Sequence, residues 1–254
     1  MIAAHAPEAE RCRGDGKAGA MRRRSPCRSR VEDDGGPTTP PDRSPSRIAH
    51  VGAFRDIIGP WMVRMIGVVL AGGRSSRMGA DKAHVTVGSR TMLEHVAAAL
   101  TQVVDELVVA GREGPVSGLR SLADTGDAHQ GPLAGLASVT VAYPSSLLVV
   151  AAVDQPWIRH ETLRHLVEIT GALPTVPVDD GIRQTTCASY PTDALDGIAD
   201  ELAGGGSIQS LLDRVSFRPV VDDEWTSWGE DGRSWFSVDS TADLDEGIRR
   251  FGFP

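Results

Sequence analysis

Residues 66–82 read IGVVLAGGRSSRMGADK, a short apolar run that passes directly into a pair of glycines. Residues 66–70 predict a buried strand, because no polar residue interrupts the run. The pair Gly72-Gly73 has no side-chain bulk, so successive backbone N–H groups can turn toward an anion and approach it closely. The segment therefore predicts a strand that ends in a phosphate-binding turn.

Three cations follow within nine residues of this turn, at Arg74, Arg77 and Lys82. Together they can neutralise a triphosphate that an acidic domain would otherwise repel. Lys82 is one of two lysines in the chain, beside Lys17, which favours a specific role over a solvated loop lysine. The spacing fits neither the P-loop, where Lys follows the last glycine, nor the fingerprint Gly-x-Gly-x-x-Gly.

Apolar runs alternate with amphipathic stretches from residue 65 onward, a pattern typical of βαβ units around a mostly parallel sheet. We predict strands at 66–70, 106–110, 146–153 and 185–190, and helices at 91–103, 133–141, 159–170, 208–215 and 241–251. Between residues 174 and 230, the apolar patterns that predict helices and strands weaken. We expect this region to face the acceptor substrate. The fold class is α/β.

The first 64 residues differ in composition from the rest. They are rich in Arg, Pro, Gly and Ser without apolar periodicity, so we expect a disordered N-terminal extension. Residues 1–64 carry 12 Lys and Arg against 8 Asp and Glu (+4), whereas residues 65–254 carry 14 against 26 (−12). Met65 directly precedes the first strand, so an over-extended gene start and a genuine basic tail both stay open for this extension.

Charge and composition narrow the class of partner. The formal net charge of −8 argues against a nucleic-acid partner, because phosphate-backbone binding needs a basic face. No apolar run reaches the ~18–20 residues of a membrane span. The three cysteines, Cys12, Cys27 and Cys187, show no metal-ligand or redox spacing. We expect a cytoplasmic protein that acts on small molecules, without a membrane partner.

One carboxylate stands where a metal ligand is expected. Asp154 follows the apolar run that ends at Val153, and ligands of open parallel sheets bind beyond the carboxyl ends of the strands. Mg²⁺ takes oxygen ligands, usually one or two carboxylates with substrate phosphates and water. A cap on the following helix is the alternative role for Asp154.

Residues 70–82 resemble the signature Leu-Ala-Gly-Gly-x-Ser-x-Arg-Met-Gly-x-Asp-Lys of the MobA-like nucleotidyltransferases, the family of molybdenum cofactor guanylyltransferase. The resemblance continues through residues 131–135 (GPLAG), 153–157 (VDQPW) and 236–240 (FSVDS). It implies that residues 65–254 form a Rossmann-like three-layer sandwich of the nucleotide-diphospho-sugar transferase type. It also implies GTP and molybdopterin as substrates, joined with release of pyrophosphate, and we expect a monomer or weak homo-oligomer.

The resemblance further implies roles for single residues. The expected catalytic residues are Lys82, Arg77 and Asp154. The expected nucleotide-binding residues are Leu70, Ala71, Gly72, Gly73, Lys82, Asp124 and Asp154. The expected Mg²⁺ ligands are Asp154 and Asp239. Two alternatives stay open: Asp127 competes with Asp124, and Asp239 could instead cap the last helix.

Base choice is the weakest part of the resemblance. The family often has Asn after its second strand, where this chain has Val109, Ala110 and Gly111, so one expected nucleoside contact is missing. Leu-Ala-Gly-Gly favours guanine, since the related cytidylyltransferases tend to have Leu-Ala-Ala-Gly. A transferase that uses CTP or another phosphorylated acceptor stays open. So does a nucleotide-binding protein without turnover.

Overall fold

The computed structural model describes residues 63–72, 81–124 and 131–254. Four candidate site residues lie outside the described ranges: Gly73, Arg74, Arg77 and Asp127. Of the expected extension, the structure describes only Val63 and Arg64. The Arg64 carbonyl accepts a hydrogen bond from the Leu147 N–H at 3.0 Å.

Ten strands and seven α-helices occur in the described ranges. The strands are β1 (Met65–Leu70), β2 (Thr86–Val87), β3 (Arg90–Thr91), β4 (Glu106–Ala110), β5 (Arg120–Leu122), β6 (Leu147–Ala152), β7 (Thr175–Asp179), β8 (Ile182–Arg183), β9 (Cys187–Pro191) and β10 (Arg218–Val220). The helices are α1 (Met92–Thr101), α2 (Pro132–Ala142), α3 (His160–Ile169), α4 (Ile198–Ala203), α5 (Ile208–Leu211), α6 (Asp222–Ser227) and α7 (Thr241–Phe251).

Eight of the described strands form one sheet, in the order β10-β7-β9-β6-β1-β4-β5 with β8 paired to β7. The strand β1 pairs in parallel with β4 and β6, and β4 pairs in parallel with β5. Because β9 runs antiparallel to both β6 and β7, β7 and its parallel neighbour β10 point the same way as β6. The carboxyl ends of these six strands therefore meet at one edge, here called the carboxyl edge.

Helices cover both faces of the sheet. Ile66 and Val68 of β1 pack in a core with α2, α4 and α5, whereas Val69 packs in a second core with α1, α3 and α6. All three side chains are fully buried. Burial on both faces explains why this strand reads as an unbroken apolar run. The predicted three-layer α/β sandwich with a mostly parallel sheet is confirmed.

The predicted helices and strands with a strong apolar pattern are confirmed, with small changes at their ends. Most differences between the predicted and the observed elements lie in residues 174–230, where the pattern is weak. The helix expected at 208–215 is a single turn, Ile208–Leu211, and the structure adds β2, β3, β5, β7, β8, β10, α4 and α6. Strands of two to five residues and helices of six give no periodic signal over a usable window. In the described residues, no helix combines the length and apolar character needed to cross a bilayer.

Candidate active site

Lys82 lies between two carboxylates at the carboxyl edge. Its Nζ donates to Asp154 Oδ2 at 2.8 Å and to Asp239 Oδ1 at 2.6 Å. The side chains of Lys82 and Asp154 are 16% and 21% exposed, whereas that of Asp239 is 58% exposed. We call these three residues the lysine–carboxylate cluster. It is half-buried and opens to solvent on the Asp239 side.

The strand β6 and a short 3₁₀ turn position the first two members of the cluster. Asp154 follows β6, and the pairing of β6 with β1 continues one residue further through a hydrogen bond from Val153 N to Leu70 O at 3.0 Å. Lys82 begins the turn Lys82–His84, which Asp81 caps by accepting a hydrogen bond from Ala83 N at 3.1 Å. Both side chains are thus presented by backbone that is fixed by hydrogen bonds.

Asp239 is held in place by the chain on either side of it. Val238 N donates to the Asp154 carbonyl at 2.9 Å, which brings this segment beside β6. The N-cap of α7 is Ser240, whose hydroxyl accepts from Asp243 N at 3.2 Å. The expectation that Asp239 could itself cap this helix is therefore wrong, and its carboxylate faces Lys82 instead.

Trp157 packs against α7 and holds this helix on the rest of the domain. Its indole ring lies so close to Gly247 that a Cβ there would stand 2.2 Å from the ring, so only glycine fits. The indole N–H donates to the Gly252 carbonyl at 2.7 Å, and the ring meets Phe236 edge-on at 5.7 Å. Because α7 begins next to Asp239, this packing also fixes the third member of the cluster.

The backbones of Gly72 and Gly111 touch at the ends of β1 and β4. A Cβ at position 111 would lie 2.5 Å from the Gly72 Cα, and Gly111 has a φ of +86°. The carboxylate of Asp124, which follows β5, lies against this contact, 3.4 Å from the Cβ position of residue 111. The close approach leaves no room for a side chain at position 111 of this chain.

Arg112 connects the two ends of the segment 72–80. Its Nε donates to the Ala71 carbonyl at 2.9 Å, and its two terminal nitrogens donate to the two carboxylate oxygens of Asp81. This hydrogen-bonded pair lowers the pKa of Asp81 and raises the pKa of Arg112. The sequence reasoning missed Arg112. The signal that could have found it is a cation directly after Gly111, the glycine that follows β4.

The charge of Lys82 is set by two opposing effects. Partial burial by itself lowers the pKa of an ammonium, but the hydrogen bonds and negative charges of Asp154 and Asp239 outweigh it, so the pKa of Lys82 is raised. The side chain is therefore a fixed cation at neutral pH. The Lys82 ammonium can bind phosphate but cannot serve as a general base at that pH, and the two carboxylates beside it are the groups that can bind a metal.

Comparison with known proteins places this geometry in a family. Residues 67–219 match the MobA-like NTP transferase domain. The chain belongs to the MobA-like NTP transferase family. A probable molybdenum cofactor guanylyltransferase of Pelotomaculum thermopropionicum is 37% identical over 188 residues, which make up 72% of this chain and 91% of that protein. The predicted family is confirmed, and the chain is a nucleotidyltransferase.

Two solved structures show the same fold. Molybdopterin-guanine dinucleotide biosynthesis protein A from Archaeoglobus fulgidus aligns with a TM-score of 0.59 at 20% identity, over 73% of this chain and 97% of that chain. The 2-C-methyl-D-erythritol 4-phosphate cytidylyltransferase from Thermus thermophilus aligns with a TM-score of 0.53 at 18% identity, over 74% and 98%. The fold is therefore shared by proteins named for different nucleotides.

The MobA-like domain brings the described candidate residues together at the carboxyl edge, but not all in the same way. Leu70 and Ala71 have buried side chains, 5% and 3% exposed, and the Ala71 N–H donates to the Ala110 carbonyl at 2.9 Å.

The alternative role of Asp154 as a helix cap is wrong, because α3 begins at His160 and its N-cap residue is Arg159.

The donor set of this MobA-like site fits a divalent cation that arrives with a nucleotide. Asp154 and Asp239 each place one oxygen within 2.8 Å of the same atom, Lys82 Nζ. In the described ranges, no cluster of three or more His, Cys, Asp or Glu residues could hold a metal by itself. Two carboxylates with substrate phosphates and water are an ordinary ligand set for Mg²⁺.

We expect Gly111→Ala to lower the free energy of unfolding by about 3 kcal/mol, the combined cost of a left-handed backbone and of steric overlap. The overlap arises because the new methyl group would meet the Gly72 backbone at 2.5–2.6 Å. Urea denaturation measures the change. Gly118→Ala is the matched control, since Gly118 has a φ of +78° with no atom within 4 Å of its Cβ position. Its expected cost is about 1 kcal/mol. Equal costs for the two variants would contradict the proposed contact.

Proposed function

We propose that this chain transfers GMP from GTP to the phosphate of molybdopterin and releases pyrophosphate. The observation that carries the proposal is the lysine–carboxylate cluster beside the Gly72–Gly111 contact, at the edge of the sheet where ligands of such folds bind. Lys82 is separated from its two partners by 72 and 157 residues of sequence, so only the folded chain assembles the cluster. The relative of P. thermopropionicum, matched over 91% of its length, supports this choice of substrates.

The site residues receive the following roles in this proposal. The nucleotide lies along the turn formed by Leu70, Ala71, Gly72 and Gly73, with Asp124 beside it. The phosphates are bound by Lys82 and Arg77. The metal ligands are Asp154 and Asp239. We propose Mg²⁺ as the metal, and when bound it would neutralise charge on the phosphates and support the departure of pyrophosphate.

The reaction needs positioning and charge more than proton transfer. The acceptor phosphate is already mostly ionised at neutral pH, so it can attack the α-phosphorus of GTP in line without a general base. Lys82 supplies a permanent positive charge, because its pKa is raised by the two carboxylates despite partial burial. Asp154, whose side chain is 21% exposed, and Asp239, whose side chain is 58% exposed, give the site one half-buried and one exposed carboxylate.

Sequence features also support the compartment and the class of partner that we propose. The net charge of −8 and the absence of any paired-cysteine spacing favour a cytoplasmic enzyme without a nucleic-acid partner. We propose that the chain is a monomer or a weak homo-oligomer. The alternative substrates are CTP or another phosphorylated acceptor.

Pyrophosphate release tests the proposal directly. The purified chain is incubated with Mg²⁺ and GTP, CTP or ATP, each with and without molybdopterin. We expect release with GTP alone among the three, and only when molybdopterin is present. Release with CTP, or only with another phosphorylated acceptor, would overturn the substrates while keeping the chemistry. Nucleotide binding without release for any acceptor would favour a binding protein without turnover.

A further inference from the structure

We propose that Arg112 is a positioning residue that joins Ala71 to Asp81, the residues on either side of the segment 72–80, and thereby places Lys82 on the phosphates. The inference rests on the proposed function only in taking Lys82 as a residue that binds phosphates. Arg112 stands outside residues 70–82, and neither composition nor the family resemblance assigned it a role.

Arg112 joins three separate pieces of chain, two through its guanidinium and one through its backbone N–H. Nε holds the Ala71 carbonyl at 2.9 Å, directly before the segment. The terminal nitrogens hold both oxygens of Asp81, directly after it. Arg112 itself is carried by the end of β4, where its N–H donates to the Leu122 carbonyl of β5 at 3.2 Å. The two ends of the segment are therefore fixed to the central sheet.

Asp81 passes this restraint on to Lys82. The same carboxylate that binds Arg112 also accepts the hydrogen bond from Ala83 N, and so caps the 3₁₀ turn that Lys82 begins. The side chains of Arg112 and Asp81 are 24% and 33% exposed, which leaves their pairing only partly screened by water. The Arg112–Asp81 pair thus acts on Lys82 through the peptide bond that joins Asp81 to Lys82.

An arginine is required at this position for a geometric reason. Three acceptors in two directions need the planar fork of a guanidinium, whereas an ammonium on a flexible stem offers a single point of attachment. Arg112→Lys keeps the charge and loses the fork. It therefore separates positioning from simple electrostatic attraction, which a lysine would preserve.

The test measures binding of inorganic tripolyphosphate with Mg²⁺ to the full chain by calorimetry, because this probe depends on neither the base nor the acceptor. We expect Arg112→Lys and Asp81→Asn each to raise the Kd about tenfold. The double variant should also be about tenfold weaker rather than a hundredfold, since each single change already removes the same pair. A variant that merely unfolds in part would lower the stoichiometry and leave the Kd of the folded fraction unchanged.

The matched control is Arg120→Lys, because Arg120 also pairs with a carboxylate, that of Glu106 at 3.3 Å, where β4 and β5 begin rather than end. Its Kd should equal that of the wild type. An unchanged Kd in Arg112→Lys, or additive losses in the double variant, would overturn the inference.

The inference and the proposed function fail in different ways. If the wild type binds tripolyphosphate with the expected dependence on Arg112 but releases no pyrophosphate from GTP and molybdopterin, only the proposed function falls. If it releases pyrophosphate and Arg112→Lys binds as tightly as the wild type, only the inference falls. A wild type that does not bind tripolyphosphate would overturn the inference whatever the activity.

Discussion

Replacing Lys82 by methionine is expected to lower the rate of pyrophosphate release by about 10³-fold, the upper range for loss of one preorganised charge-stabilising group. Methionine keeps much of the length of the side chain and removes the ammonium that now donates to Asp154 and Asp239. Single-turnover measurements with saturating GTP and acceptor would show the loss in the transfer step itself. The raised pKa of Lys82 predicts that this contribution in the wild type does not titrate near neutral pH.

Two further variants separate chemistry from stability in this experiment. Lys82→Met leaves two carboxylates facing each other without their cation, so part of its effect could be structural. The double change Lys82→Met and Asp239→Asn removes that repulsion, and we expect it to restore thermal stability but not activity. Lys82→Arg keeps the charge with a different shape and should fall between wild type and methionine. Methionine variants with more than a tenth of wild-type activity would contradict the assigned role.

Asp154→Asn is expected to reduce pyrophosphate release by about 10²–10³-fold and to raise the Mg²⁺ concentration that gives half the maximal rate. The change is isosteric and removes the negative charge of the less exposed of the two carboxylates in the lysine–carboxylate cluster. The backbone of Asp154 should be unaffected, because its carbonyl still accepts the hydrogen bond from Val238 N. Titration of the rate with Mg²⁺ at saturating nucleotide measures both effects.

The control for this variant is Asp105→Asn. Asp105 also has a carboxylate that accepts one hydrogen bond, from Met65 N at 2.9 Å, but it lies where β4 begins, at the opposite edge of the sheet. Its rate and its Mg²⁺ dependence should match the wild type. If Asp154→Asn behaves in the same way as this control, the assignment of Asp154 to the metal is wrong.

The elements that sequence reasoning recovered are those in which local pattern and tertiary burial agree. Residues 106–110 were predicted as a strand and the structure has Glu106–Ala110, because buried strands of a parallel sheet are apolar on both faces. The last helix has the predicted bounds, Thr241–Phe251, and the structure shows a capping box of Ser240 and Asp243 at its beginning. In contrast, β10 is three residues long with a proline at its centre, and only its parallel pairing with β7 makes it a strand.

The residues of the candidate site also divide into those that a local sequence pattern marks and those that only distant contacts identify. Lys82 and Asp154 could be singled out because each stands beside a recognisable local pattern, a glycine turn in one case and the end of an apolar strand in the other. Arg112 could not, since its partners Ala71 and Asp81 lie 41 and 31 residues away and no local pattern connects them. The choice between two roles for Asp239 was also out of reach, because a helix cap and a distant ion pair favour the same residue type.

By itself, the sequence of this chain determined the layered α/β class, the family and the glycine-rich segment that ends at Lys82. These follow from apolar runs, glycine positions and a thirteen-residue motif, all of which are local. Only the tertiary structure decided which carboxylates meet Lys82, why position 111 must be glycine and how Arg112 joins the ends of the turn. The physical reason is that these contacts join the ends of different strands at one edge of the sheet. Their partners are chosen by strand order and packing, which no short stretch of sequence encodes.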